Sequence, residues 1–189
     1  MRNNRIALLV EVALAVALAT VLNLWKITLP FNIAGGSVSL TMLPLLILAV
    51  RRGPVAGLTA GLLYGTLDLL FNPVILYAAQ VAMDYLIPYS VVACITGFAS
   101  KPYRKNVAEK PTSATLKTIP WMVLGGIARF AVHTLSGVLF FASYAPAWQN
   151  VWVYSSVYNA GYVGPSLALC IVISLALLPA LEKAVPVSS

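Results

Sequence analysis

The stretch VAMDYLIPYS, Val81 to Ser90, places a carboxylate, Asp84, in a segment that carries no other charge between Phe71 and Ser100. A charged group at the centre of an apolar span costs about 2.5–3.5 kcal/mol on insertion scales, so it needs a partner or a task. Glu11, Asp68, Arg129 and His133 raise the same question. Two chemistries suit an acid and an imidazole in such surroundings: contact with a small molecule held in an apolar-walled pocket with a few convergent polar groups, and proton transfer between Asp84 and His133. A third reading is structural, since Arg129 and His133 are four residues apart on one helical face and Arg129 could pair with Asp84.

Enzymatic motifs are lacking. There is no HExxH, GxSxG or Walker A sequence, and one histidine cannot supply the usual zinc set. Cys94 and Cys170 lie in apolar runs without metal spacing and read as packing residues. The chain is therefore read as a non-enzyme with no metal and no cofactor.

The elements that must position these residues follow from composition. With 60% hydrophobic and 9% charged residues and a mean hydropathy of +0.90, the chain is built for lipid. Apolar runs and breakers predict an all-α integral membrane protein, a single domain over 1–189 in which six transmembrane helices form a bundle. The helices are expected near 6–26, 39–50, 54–71, 74–99, 119–143 and 150–179, with a Pro/Gly-rich connection at 28–38. Ile6 to Trp25 has the length of a span rather than of a signal-peptide core. The second helix is short for a crossing unless GGSVSL completes it. Residues 100–118, rich in Lys, Pro, Ser and Thr, read as a flexible loop.

Basic residues fall before helix 1, between helices 2 and 3, between helices 4 and 5 and after helix 6, which places both termini and these connections in the cytoplasm of a cell-membrane protein. Ten of the twelve Lys and Arg are accounted for in this way, all but Lys26 and Arg129, so the net charge of +7 calls for no nucleic-acid partner.

This topology brings chemistry to one level. Asp84, His133 and Asn159 each lie nine or ten residues from the outer end of their helix, up to about 15 Å deep. Tyr64 and Tyr154 border that level with aromatic faces. Asp68, near the outer end of helix 3, is expected to reach water, Pro88 to kink helix 4, and Trp25, Trp148 and Trp152 to sit in an interfacial belt. In helix 1, Ala13, Ala15, Ala17 and Ala19 offer small surfaces, either for internal packing or for docking of another membrane protein.

The blocks GGSVSLTMLPLLILAVRRG, QVAMDYLIPYS, RFAVHTLSG and VYSSVYNAGY, in this order, resemble the thiamine-specific S components of energy-coupling factor (ECF) vitamin transporters. The resemblance runs from helix 1 to helix 6. It implies a thiamine site near the outer face, covered by the loop between helices 1 and 2, where Gly36 joins the candidate contacts. It carries the family's acidic-tyrosine pair onto Asp84 and Tyr85, its histidine onto His133, and its tyrosine and asparagine onto Tyr154 and Asn159. Stacking falls to Phe141 and Tyr64, aromatic positions that can be Trp in the family, whose best-known pattern has Glu where this chain has Asp84; a further family tyrosine position falls on Val74. It further implies docking through Ala13 and Ala17 onto a transmembrane T component driven by two cytoplasmic ATPases. The competing reading is an autonomous proton-coupled secondary transporter of a small cation. No internal repeat favours it.

Overall fold

The computed structural model describes residues 2–28 and 36–186. Residues 29–35, most of the connection expected to cover the site, lie outside the described residues. The elements are α1 (Arg2–Leu24), β1 (Ile27–Thr28), β2 (Ser37–Val38), α2 (Met42–Arg52), α3 (Pro54–Phe71), α4 (Ala78–Val81), a π-helical turn (Ala82–Leu86), α5 (Ile87–Gly97), α6 (Ser100–Val107), α7 (Pro111–Leu116), α8 (Ile119–Phe140) and α9 (Val151–Ala184). A short 3-10 turn, Ala142–Tyr144, follows α8.

Among the described residues, five helical stretches are long and apolar enough to cross a bilayer: Arg5–Leu24, Pro54–Phe71, Ala78–Gly97, Pro111–Phe140 and Val151–Ala184. Their outward side chains include Leu9, Leu14, Leu63, Ile127, Leu139 and Val172, all well exposed. Large apolar groups facing outward on every long helix suit a hydrocarbon solvent, in which helices keep all their backbone hydrogen bonds internal. The protein is an all-α membrane protein.

The second expected helix differs. α2 has 11 residues, a rise of about 16 Å, and by itself is too short to cross. Nearly all of it is buried, because it is the shared wall of two apolar clusters, one with α1, α3 and α5 and the other with α5 through α9. Its preceding backbone is strand, not helix: β2 pairs antiparallel with β1 in the register Ile27↔Val38, and Ser39 N–H donates to Ser166 Oγ at 3.1 Å. The basic end of α2 is tied down on both sides. Arg52 donates to Glu11 of α1, Nε to Oε2 at 2.6 Å, and Arg51 Nη2 to the Val185 carbonyl at 2.6 Å.

α3 and α5 make the closest helix contact. Gly57, Gly61 and Gly65 are four apart, and a β-carbon on each would collide with the carbonyl oxygens of Ala93, Tyr89 and Tyr85 respectively. Bare backbone here lets the α5 helix and the turn before it lie directly on α3, the small-residue packing that lipid favours. The disturbance expected at Pro88 takes the form of the π turn just before it, closed by Ile87 N–H to the Ala82 carbonyl. Pro88 has no N–H to continue the ladder, and the wider turn re-aims Asp84 and Tyr85.

The expected flexible loop at 100–118 is instead the two short helices α6 and α7. Tyr103 and Val107, four apart, and Ala114 are buried, while Lys101, Arg104, Lys105, Lys110 and Lys117 are exposed. A polar composition read as a loop is thus an amphipathic pair whose apolar edge seats on α2 and α9. Burial pushes the Tyr103 phenol up to about 12, and the neutral hydroxyl donates to the Leu178 carbonyl at 3.3 Å.

Candidate functional site

Helices α8 and α9, the π turn, segment 72–77 and the ends of α1 and α3 enclose a cavity of about 450 Å³. That volume lies in the range of small-molecule sites. Of the residues singled out from sequence, Asp84, Tyr85, His133, Phe141, Tyr154 and Asn159 line it, as does Gly36. Tyr64 does not: it is 0% exposed, packs edge-on against Tyr89 with ring centroids 4.6 Å apart, and borders a second recess between α1 and α3. Tyr89 is the ring that reaches the cavity.

Asp84 Oδ2 accepts from Gln80 Nε2 at 2.6 Å, and Oδ1 faces His133 Nδ1 at 3.9 Å, too far for a direct hydrogen bond. On the other side of the imidazole, Nε2 accepts from Arg129 Nε at 3.4 Å, which leaves the ring proton on Nδ1, the nitrogen turned toward Asp84. The Arg129 guanidinium lies over the Tyr89 ring, 4.4 Å from its centroid. Among the described residues it makes no ion pair with Asp84, because the Tyr89 face and His133 hold it first.

Asp68 was expected to reach water; it lines the cavity as a second carboxylate. Its Oδ1 accepts from Asn23 Nδ2 at 2.9 Å and Asn72 Nδ2 at 3.0 Å, and its Oδ2 from the Tyr89 hydroxyl at 3.4 Å. Neutral donors thus hold Asp68 without cancelling its charge. The cavity lining therefore carries two carboxylates, Asp84 and Asp68, and two basic groups, Arg129 and Lys26, of which Lys26 is exposed and donates to Asn72 Oδ1 at 3.0 Å. With these charges in balance, any attraction for a cation is local to Asp84, whose carboxylate makes no ion pair with Arg129 among the described residues.

The remaining polar residues hold walls. The Tyr85 hydroxyl donates to the Asn72 carbonyl and accepts from Val74 N–H, both at 2.8 Å, so it fixes segment 72–77 and has little left to offer a ligand. Asn159 Nδ2 donates to the Ser155 carbonyl at 2.8 Å and to the His133 carbonyl at 3.3 Å, tying α9 to α8, and its Oδ1 accepts from the Tyr162 hydroxyl at 2.6 Å. Gly36 sits at φ +84, and a β-carbon there would meet the Tyr162 ring at 2.7 Å, so only glycine lets the strand cross that ring.

Sequence reasoning missed Asp68, Tyr89, Tyr158 and Tyr162 as cavity residues. For the tyrosines a signal was present: Tyr154, Tyr158 and Tyr162 are four apart, and their rings stand 6.0 and 6.2 Å from one another along α9 as one aromatic wall. For Asp68 the signal was its charge inside a span, but its place near the outer end of helix 3 turned the reading toward water; its donors come from α1, from the loop after α3 and from Tyr89.

The Thiamine transporter protein (Thia_YuaJ) family model matches residues 9–185. The chain is 31% identical over 173 residues to the Thiamine transporter ThiT of Bacillus subtilis, covering 91% of this chain and 90% of that one. It is 28% identical over 179 residues to the protein of the same name from Lacticaseibacillus paracasei, covering 91% and 87%. A solved structure of ThiT from Listeria monocytogenes superposes with a TM-score of 0.80 at 32% identity, over 97% of each chain.

Proposed function

The chain belongs to the thiamine transporter protein family, and from that premise we propose that it binds thiamine in the cavity between α8, α9 and the π turn, as the substrate-binding subunit of an ECF-type importer. The observation that carries the reading is the carboxylate of Asp84 in the cavity wall, with Oδ1 beside His133 Nδ1 and no ion pair to Arg129 among the described residues. Thiamine brings one permanent thiazolium charge, two flat rings, an amino group and a hydroxyl. Asp84 Oδ1 supplies the charge and an acceptor, and His133 Nδ1 a donor beside it. Phe141 and the tyrosines of α9 supply faces for the rings. Tyr85 and Asn159 act by holding the walls that carry these groups.

In this reading the polypeptide crosses the cell membrane six times, with α2 and the strand before it forming the short second passage and both termini in the cytoplasm. The whole of 1–189 is one S-component domain. The resemblance to ECF S components implies delivery through a transmembrane T component and two cytoplasmic ATPases; the sequence has no Walker A loop of its own, so energised transport draws on a separate ATPase or an ion gradient. The alanines of α1 divide between two faces: Ala15 and Ala19 are buried in the bundle, whereas Ala13 and Ala17 are exposed. The exposed pair gives the T component a small-residue stripe on which to dock.

A thermal-shift panel of purified protein with thiamine, riboflavin and biotin tests the ligand. A ligand present at about a thousand times its Kd stabilises by about 4 kcal/mol. Thiamine alone is expected to raise Tm. Equal shifts with riboflavin or biotin, or no shift with any of them, would overturn the assignment.

A further inference from the structure

Gln80 is the one residue of α4 that is buried, at 0% exposure. A carboxamide in an apolar span is costly unless its hydrogen bonds are made. All three strong ones are made here: Nε2 donates to Asp84 Oδ2 at 2.6 Å and to the Val74 carbonyl at 3.1 Å, and Oε1 accepts from Leu76 N–H at 3.0 Å. The partners leave no choice of amide orientation. Leu76 N–H is a donor and must meet the oxygen, while a carboxylate and a carbonyl must meet the nitrogen.

Asp84 lies four residues after Gln80, so the bond joins neighbours on one helical face. It occupies Oδ2 and leaves Oδ1 as the oxygen turned toward His133 and the cavity. An aspartate reaches less far than a glutamate and commands less of the cavity by itself. Held on one oxygen by a buried amide, it presents the other at a fixed place, which is what selective recognition of a charge requires. Segment 72–77, anchored by Gln80 at Val74 and Leu76, is held independently by the Tyr85 hydroxyl at Asn72 and Val74. Loss of the Gln80 amide therefore frees the carboxylate and also releases Val74 and Leu76 from Gln80, while the Tyr85 hydroxyl still holds Asn72 and Val74.

We infer that Gln80 is a specificity-determining positioning residue, which makes the site selective for a cationic ligand by fixing the carboxylate of Asp84. The inference rests on the thiamine reading of the cavity. Gln80→Met, close in length and volume but without the amide, separates the two roles Gln80 could have. The readout is the ratio of Kd values for thiamine and for its uncharged thiophene analogue, deazathiamine, measured by calorimetry on the full chain in detergent. The wild type is expected to prefer thiamine. In Gln80→Met the loosened wall weakens both ligands, thiamine about tenfold more than deazathiamine, and the preference shrinks accordingly. Tyr85→Phe, which loosens the same wall without touching Asp84, is expected to weaken both ligands alike. Should Gln80→Met fail to fold, Gln80→Ala removes bulk rather than changing it and is read in the same way. Equal weakening of both ligands in the Gln80 variant would make Gln80 a packing residue, and unchanged binding of both would leave it no role at the site; either result overturns the inference. Absence of thiamine binding by the wild type would instead overturn the proposed function.

Discussion

At the scale of the residue, polar groups in the cavity divide into those free to meet a ligand and those already spent on the walls. Asp84 Oδ1 and His133 Nδ1–H belong to the first kind, Tyr85 and Asn159 to the second. Tyr85→Phe deletes the hydrogen bonds to Asn72 and Val74, and thiamine affinity should fall about tenfold, or about 1.4 kcal/mol, through a displaced wall. Calorimetric titration measures this, and an effect as large as that of removing Asp84 would mean that Tyr85 touches the ligand. Sequence reasoning brought Asp84, His133 and Asn159 to one level, because distance along a helix from a recognisable end is a depth. It could not tell which atoms of those residues are engaged. Hydrogen-bond partners such as Gln80 for Asp84 and Tyr162 for Asn159 depend on rotamers and on a π turn, neither of which periodicity encodes. Tyr64 shows the same limit: helical depth put it level with the site, but its direction puts it behind Tyr89.

At the scale of the element, α3 and the helix carrying Asp84 are set by backbone contact along Gly57, Gly61 and Gly65. Gly61→Ala adds a single methyl against the Tyr89 carbonyl, and neither helix can yield without moving Tyr89 and the π turn. Thermal unfolding in detergent should show a loss of about 1–3 kcal/mol, accompanied by weaker thiamine binding. An unchanged Tm would contradict the close contact. The long helices were legible because eighteen or more apolar residues in lipid have few alternatives. α6 and α7 were not, since their lysines, prolines and threonines look like loop composition, and only burial of Tyr103, Val107 and Ala114 on α2 and α9 makes them ordered helices. α2 was placed as a helix, and the backbone before it, expected to extend that helix, is instead a strand paired with β1, an arrangement that depends on β1 being next to it.

At the scale of the whole molecule, the proposed function makes binding and transport separable. The cavity lies among α8, α9 and the π turn, while Ala13 and Ala17 face outward on α1. Ala13→Trp and Ala17→Trp should leave thiamine affinity within twofold and abolish ATP-dependent uptake into proteoliposomes that also contain a T component and ATPases. Loss of binding in these variants, or uptake that persists, would remove α1 from the docking role. Proteoliposomes with this chain alone should show no multiple turnover driven by a pH gradient. Sustained uptake there would favour the proton-coupled carrier built on Asp84 and His133.

The claim that holds these scales together is that Asp84 meets the positive charge of thiamine. Calorimetric titration of the purified wild type and of Asp84→Asn with thiamine tests it most directly. The account predicts one saturable site in the wild type and a loss of affinity of about a hundredfold or more in the variant, about 2.7 kcal/mol, with Tm in the absence of ligand little changed. Thiamine binding of wild-type strength by Asp84→Asn would contradict it.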